Sequence, residues 1–349
     1  MYAPKSSRAR VIAALAFSIG MPLVFAAQSN HTLRSRDVCS QTANTLLDAC
    51  KAEVNANRLT QKANCMNISD PDKRDQCLED VESAKREGNA LCEDQRTARL
   101  SACDALNEGR YDPKIDPATF DTDFRNLTHP NQYFPLTPGI RWEYRGGDEF
   151  NTVEATNRTK LIEGVTCIVF DDVVFKNGDL SEDTSDYFAM NKDGTVHYFG
   201  EEVKDYETFE GDNPRKPELV SIDGTFKHGR EGDKSGIIFL AAPTVGRVYR
   251  EEFSLGNAED VTEILSINYS FGGNRELDRF VPRLLAERFC SHNDCIVTRN
   301  SSPLEPDQTT RKYYARGIGF IMEINPDTGE VLQLVNCNFD SRCANLPMP

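Results

Sequence analysis

Side chains suited to acid–base, nucleophilic or metal chemistry are thinly spread along this chain. The five histidines, His31, His129, His197, His228 and His292, form no His-x-x-x-His, His-Glu-x-x-His or Cys-x-x-Cys-His pattern. Zinc, haem and facial-triad iron sites therefore have no motif to rest on. A Gly-x-Ser-x-Gly elbow, a phosphate loop and a dinucleotide fingerprint are also missing. Asn191-Lys192-Asp193-Gly194-Thr195 has calcium-loop composition, but an EF-hand with Gly194 sixth would begin at Ala189 and end at Gly200, where carboxylates are required. The acidic clusters Glu182-Asp183, Glu201-Glu202 and Asp205 with Glu207 read as a solvated acidic face. A carboxylate pair for glycoside chemistry depends on a three-dimensional separation that a sequence does not show. No catalytic residue, metal or cofactor is assigned.

Cysteine is the informative residue, with eleven in 349 positions. Cys290 and Cys295 bracket Ser291-His292-Asn293-Asp294, which reads as a disulfide across a hairpin tip. Cys337 and Cys343 pin a C-terminal loop in the same way. Cys167, between Val165 and Ile168-Val169, is left as a buried, inert free thiol.

The other six cysteines fall on two periodic segments within residues 34–108. Val38, Cys39, Ala43, Leu46, Leu47, Cys50 and Val54 recur at three- and four-residue steps, as do Cys77, Leu78, Val81, Ala84, Leu91, Cys92, Leu100, Cys103 and Leu106. Asn67-Ile68-Ser69-Asp70-Pro71-Asp72 between them is turn chemistry, with Ser69 or Asp70 available as a cap. At ~100° per residue an 11-residue step drifts by only about 20° on a helix, so each helix keeps its sulfurs on one face. Facing residues of an antiparallel hairpin have a constant index sum, and 39 with 103, 50 with 92 and 65 with 77 all give the same one, centred on Pro71. Of the fifteen pairings open to six cysteines, only this nested set keeps that symmetry. The expectation is Cys39–Cys103, Cys50–Cys92 and Cys65–Cys77 across a helical hairpin over residues 27–110.

Disulfides imply an oxidising compartment, and the N-terminus agrees. Lys5, Arg8 and Arg10 precede an apolar run from Val11 to Phe25 and the small-residue site Val24-Phe25-Ala26. A signal peptide over residues 1–26, cut between Ala26 and Ala27, is expected, with a secreted or periplasmic product. No later stretch is long and apolar enough to span a bilayer. The net charge of −15 excludes nucleic acid as an electrostatic partner.

After the linker over residues 111–117, residues 118–349 change character to strands and tight turns without intervening helices. Strands are expected at Ile140–Tyr144, Val165–Phe170, Leu180–Met190 and Thr195–Phe199, then over 219–227, 236–241, 247–254, 261–271, 294–300, 309–315, 318–324 and 330–336. Asn177-Gly178 marks a hairpin. The whole is an α+β chain: a disulfide-stapled helical hairpin, then a mainly antiparallel β domain built as a curved sheet, a sandwich or a partly open barrel.

Asn131-Gln132-Tyr133-Phe134-Pro135-Leu136-Thr137-Pro138-Gly139, with Trp142 and Tyr144 following, resembles the opening of a family of uncharacterised secreted bacterial proteins. The same likeness continues in Asp193-Gly194 with Tyr198-Phe199-Gly200-Glu201, in Gly236-Ile237-Ile238 with Pro243-Thr244-Val245-Gly246, and in Pro303-Leu304-Glu305-Pro306 with Lys312-Tyr313-Tyr314-Ala315-Arg316-Gly317-Ile318-Gly319. It covers roughly 130–325 and excludes the hairpin, and the family carries no activity to transfer. The Tyr-Tyr-Ala-x-Gly-x-Gly turn is also similar to that of curved-sheet envelope lipoproteins that hold lipid or protein ligands.

With no enzymatic signature, the leading expectation is a non-enzymatic binding protein for an apolar small molecule, a lipid or an envelope protein. Trp142, Tyr133, Phe134, Tyr313 and Tyr314 are its candidate lining. Two other classes compete: a structural protein whose hairpin drives homo-oligomerisation, and an extracytoplasmic hydrolase revealed only by a convergent cluster of carboxylates or histidines in a cleft.

Overall fold

The structure, a computed structural model, describes residues 37–349. The export signal expected over residues 1–26 lies outside them. The chain divides close to residue 110 into two compact units.

The first unit is two antiparallel helices, α1 (Val38–Met66) and α2 (Pro71–Leu106). Asp70 caps α2 by accepting a hydrogen bond from the Lys73 amide, and Pro71 occupies the first turn, where its missing N–H costs nothing. The bridges are Cys39–Cys103, Cys50–Cys92 and Cys65–Cys77, with Cα separations of 5.6, 5.8 and 5.6 Å. Apart from cysteines, the only apolar side chains fully buried in these helices are Ala43 and Val81. Cross-helix ion pairs Lys51–Glu93 and Arg58–Glu82 are exposed and add little. Sulfur bridges therefore take the place of a core.

The second unit carries the strands β1 (Arg141–Gly146), β2 (Glu149–Ile162), β3 (Val165–Lys176), β4 (Asp179–Met190), β5 (Val196–Glu202), β6 (Asp205–Glu207), β7 (Glu218–Ser221), β8 (Phe226–Lys227), β9 (Lys234–Phe239), β10 (Val248–Arg250), β11 (Glu252–Phe253), β12 (Val261–Tyr269), β13 (Cys295–Ser301), β14 (Thr309–Ala315), β15 (Gly319–Ile324) and β16 (Val331–Cys337). All pairings are antiparallel, in the order β10-β12-β13-β14-β15-β16-β1-β2-β3-β4-β5-β9-β11. The two ends of that list are consecutive in sequence. β10 pairs with β12 and β11 with β9, so the chain changes partner at Glu251 and nearly closes the sheet into a barrel. Asn177-Gly178, both at positive φ, forms the tight turn between β3 and β4.

Three expectations need correction. The β unit does contain a helix, α3 (Arg283–Phe289), whose Leu285, Ala286 and Phe289 are buried. Its seven residues are too few for a periodicity to show. The run over 219–227 is two strands, broken by a turn at Asp223-Gly224 with Gly224 at positive φ. The run over 247–254 is likewise two, divided at the Glu251 corner.

Candidate functional site

Strand alternation sorts the β unit's side chains by face. On the inner face the pairs Trp142↔Val153, Tyr144↔Asn151, Val153↔Asp172 and Phe170↔Asp186 run from β1 to β4. The face continues through Asp186↔Glu201 and Phe188↔Tyr198 to β5. On the far side Tyr249↔Thr262, Thr262↔Asn300, Thr298↔Lys312 and Lys312↔Glu323 complete the circuit. Read down the strands, this interior has two ends of opposite character.

One end is an aromatic plug. Trp142 stacks on Phe170 at 6.1 Å, Phe134 meets Phe188 edge-on at 5.1 Å, and Tyr133 stacks on Phe239 at 5.9 Å. Tyr314 crosses Phe239 at 4.8 Å. Polar tips are satisfied within the protein: Trp142 Nε1 donates to Ile318 O at 2.8 Å, and Tyr133 Oη donates to Asp294 O at 2.7 Å. The fold thus brings together four of the five aromatics offered as ligand lining and covers their faces with one another. Tyr313 is apart from them. It lies on the opposite face of β14, packs against Tyr269 at 5.3 Å and donates to Leu277 O at 2.5 Å.

The other end is acidic. Asp172, Glu182, Asp186 and Glu201 line the β3–β5 wall, and Glu251, Glu252 and Asp260 cluster at the corner that closes the barrel. The solvated acidic face expected from the sequence is therefore split. Glu182 and Glu201 turn inward, whereas their neighbours Asp183 and Glu202 turn outward to Lys204, and to Lys160 and Lys227. The outer triad holds Glu202 down at about 2, through its bonds from Lys160 and Lys227.

Inside, the effect reverses. Burial lifts Asp172 well above the usual carboxylate range, and the neighbouring Asp186 and Glu182 raise it further. Burial and the charges of Glu182 and Asp171 push Asp186 up to about 7, although Tyr198 Oη donates to it at 2.5 Å. Glu201 is raised by burial and by Asp186, and Glu252 by burial and by Asp260 and Glu201. Among the described residues no lysine or arginine is ion-paired to Asp172, Glu182, Asp186 or Glu201. Lys312 is an inward cation beside the corner, 3.8 Å from Glu323. Burial works against its charge, but Glu251, Glu323, Tyr314 and Asp260 more than restore it. Glu251 is 3 % exposed and accepts from Thr262 Oγ1 and from Asn300 Nδ2.

Polar side chains on this inner face also serve one another: Asn151 bonds to Asp172, and Thr262 to Tyr249. Tyr249 is 5 % exposed and Asn151 9 %.

The remaining candidates lie elsewhere. Cys167 is buried among Val165, Val169 and Phe199 on the outer face, where burial raises its thiol and leaves it inert. Cys290–Cys295 and Cys337–Cys343 are bridged. His197 is held down at about 4 by burial beside Phe120, and His228 accepts from the Ser235 amide. Among the described residues no three of His, Cys, Asp or Glu converge as metal ligands. No protein family, curated protein or solved structure matches the chain.

A pH dependence follows from the inward carboxyls. The native chain keeps protons on Asp172, Asp186, Glu201 and Glu252 that the unfolded chain releases near pH 4. Their contribution to stability is complete below that pH and is lost as pH rises through the folded values. Glu202 acts oppositely, but its stabilisation is fully present above about pH 5. The ligand-free protein should therefore melt several degrees lower at about pH 8 than at about pH 5. Scanning calorimetry across that range checks this, and Asp186→Asn should flatten the slope.

Proposed function

We propose that this protein is a non-enzymatic binding protein of an extracytoplasmic compartment, holding a small cationic molecule in the acidic end of its β-barrel. Five disulfides fit an oxidising environment, and no helix among the described residues is long and apolar enough to cross a membrane. One observation carries the reading. The β3–β5 wall turns four carboxyl side chains inward, with no lysine or arginine among the described residues ion-paired to them. Such an arrangement is costly in the empty protein and favourable once a positive charge enters. The aromatic plug, self-packed and internally bonded, supports an apolar ligand less well than the acidic end supports a cation.

Recovery of the native oxidised protein from its own compartment, followed by mass spectrometry under non-denaturing conditions, tests this. A retained small cation, absent from Asp186→Asn/Glu201→Gln, is the expected result. Retention of a neutral lipid by both forms would refute it. Asp186, protonated near neutrality beside Glu201, also favours a second reading, an extracytoplasmic hydrolase with these two as acid and base. A ligand recovered chemically unchanged after prolonged incubation excludes that reading.

A further inference from the structure

We propose that residues 111–121 form an acid-released strap, seated on the outer face of the β unit at neutral pH and freed when His197 and His228 take up protons. The strap is fastened at both ends. Tyr111 Oη donates to Ser235 O at 2.8 Å, and its ring meets Phe253 at 4.9 Å. Asp112 pairs with Lys234. A single 3-10 turn, Pro117–Thr119, then carries Phe120 onto the sheet. The Asp121 amide donates to Met190 O, the Lys192 amide to Thr119 O, and Lys192 Nζ to Ala118 O. Phe120, 4 % exposed, packs in an apolar cluster with Ile162, Val165, Cys167, Val169 and Phe199. Release of the strap would take Phe120 out of that cluster and bare its neighbours.

Both histidines stand where the strap is fastened. The His197 ring lies edge-on to Phe120, with centroids 5.1 Å apart, and Phe199 adjoins Phe120 at 5.6 Å and His228 at 5.5 Å. His228 Nδ1 accepts from the Ser235 amide at 2.9 Å, so the residue that holds this histidine by its N–H holds Tyr111 by its carbonyl. A proton on Nδ1 sets one donor against another and breaks that bond. Asp193 in the β4–β5 turn faces His197, Glu163 in the β2–β3 turn and Lys234 on β9 face His228, and the two histidines repel each other when charged. Asp112 of the strap is paired to that same Lys234. Burial outweighs Asp193 and Glu163, holding His197 at about 4 and lowering His228. With the strap released, both rings return towards the ordinary value of about 6.5. The seated form therefore binds fewer protons between about pH 6.5 and 4. Its seating is complete above that window and is lost as the pH falls through it. The inward carboxyls respond in the opposite sense, so acid loosens the strap while it firms the barrel.

Hydrogen exchange of the full-length oxidised protein at about pH 7, 5.5 and 4, read by mass spectrometry and corrected for the intrinsic rate at each pH, tests the proposal. Protection of residues 117–121 should fall roughly 100-fold from pH 7 to pH 4, while protection of β13 and β14 does not fall. His197→Phe/His228→Asn keeps a ring against Phe120 and an acceptor for the Ser235 amide, and should hold the strap protected at pH 4. Phe120→Ala unseats the strap at every pH. It should raise the His197 titration, followed by NMR, from about 4 towards 6.5, a readout that replaces neither histidine. Unchanged protection of 117–121 at pH 4, an equal loss in the double variant, or a loss shared by β13 and β14 overturns the strap. A His197 titration unmoved by Phe120→Ala overturns it as well.

Discussion

Alanine at Gly236 should cost the β unit at least ~3 kcal/mol and lower its melting temperature by about 6–12 °C. The reason lies in how the barrel closes. β9 carries Gly236 beneath the corner at which the chain leaves β10 for β11, and a Cβ there would fall inside van der Waals contact of the Glu251 carbonyl and within 2.8 Å of Arg250 O. The clash is with backbone, so no rotamer change relieves it. Displacing the corner also strains the Glu251 and Glu252 amides, which both donate to Asp260 O. It further disturbs the carboxylate of Glu251 held by Thr262 and Asn300. Stability and ligand affinity should fall together. Gly109→Ala is the control, because nothing lies within 4 Å of its added methyl. A Gly236→Ala protein melting within a degree of the parent would show that the sheet does not close at this corner.

Removing the six hairpin cysteines should abolish the helical unit. Each bridge contributes roughly 2–4 kcal/mol, and beneath the bridges only Ala43 and Val81 are fully buried apolar side chains. Two helices of 29 and 36 residues with so little to bury do not hold together by packing. Replacing Cys39, Cys50, Cys65, Cys77, Cys92 and Cys103 by alanine should remove most helical ellipticity while the near-ultraviolet signal of Trp142, in the β unit, persists. Selective replacement spares the Cys290–Cys295 and Cys337–Cys343 bridges, which a reductant would break as well. Helicity retained in that variant would mean that the helices have an apolar interface of their own.

The hairpin was legible from sequence because its register is written in the cysteine positions: a constant index sum needs no knowledge of side-chain packing. Turn chemistry placed most strands for a similar local reason. The acidic end of the barrel was not legible, and the cause is specific. In Ser181-Glu182-Asp183-Thr184-Ser185-Asp186 every residue is polar, so alternation between faces leaves no hydrophobic trace. A register shift between Asp186 and Phe188 further hides which face continues into the apolar end of β4. Only the pairing of Phe170 with Asp186 shows that the acids and the aromatic plug share one interior. The aromatics show the same dependence on distant strands. Tyr133, Phe134 and Trp142 look like ligand lining as a motif, yet their partners Phe170, Phe188 and Phe239 come from strands far along the chain. Tyr313 and Tyr314, adjacent in sequence, point to opposite sides of β14 for the same alternation that divides Glu201 from Glu202.

Burying carboxyls without counter-ions has a consequence for binding. Burial keeps several of them protonated, and an entering cation must ionise them to gain full attraction. Ligand uptake and proton release are then one event, tighter at higher pH and weaker on acidification. Lys312 sets a limit on this, since it already balances part of the corner's charge.

The most direct test is calorimetric titration of spermidine, a small cation, into the oxidised protein at about pH 6.5, in two buffers with different ionisation heats. Protons should leave the protein on binding, so the apparent heat should differ between buffers in that sense, and affinity should climb as pH rises through about 7. Identical heats in both buffers, with affinity unchanged across pH, would contradict an acidic barrel end built to receive a cation.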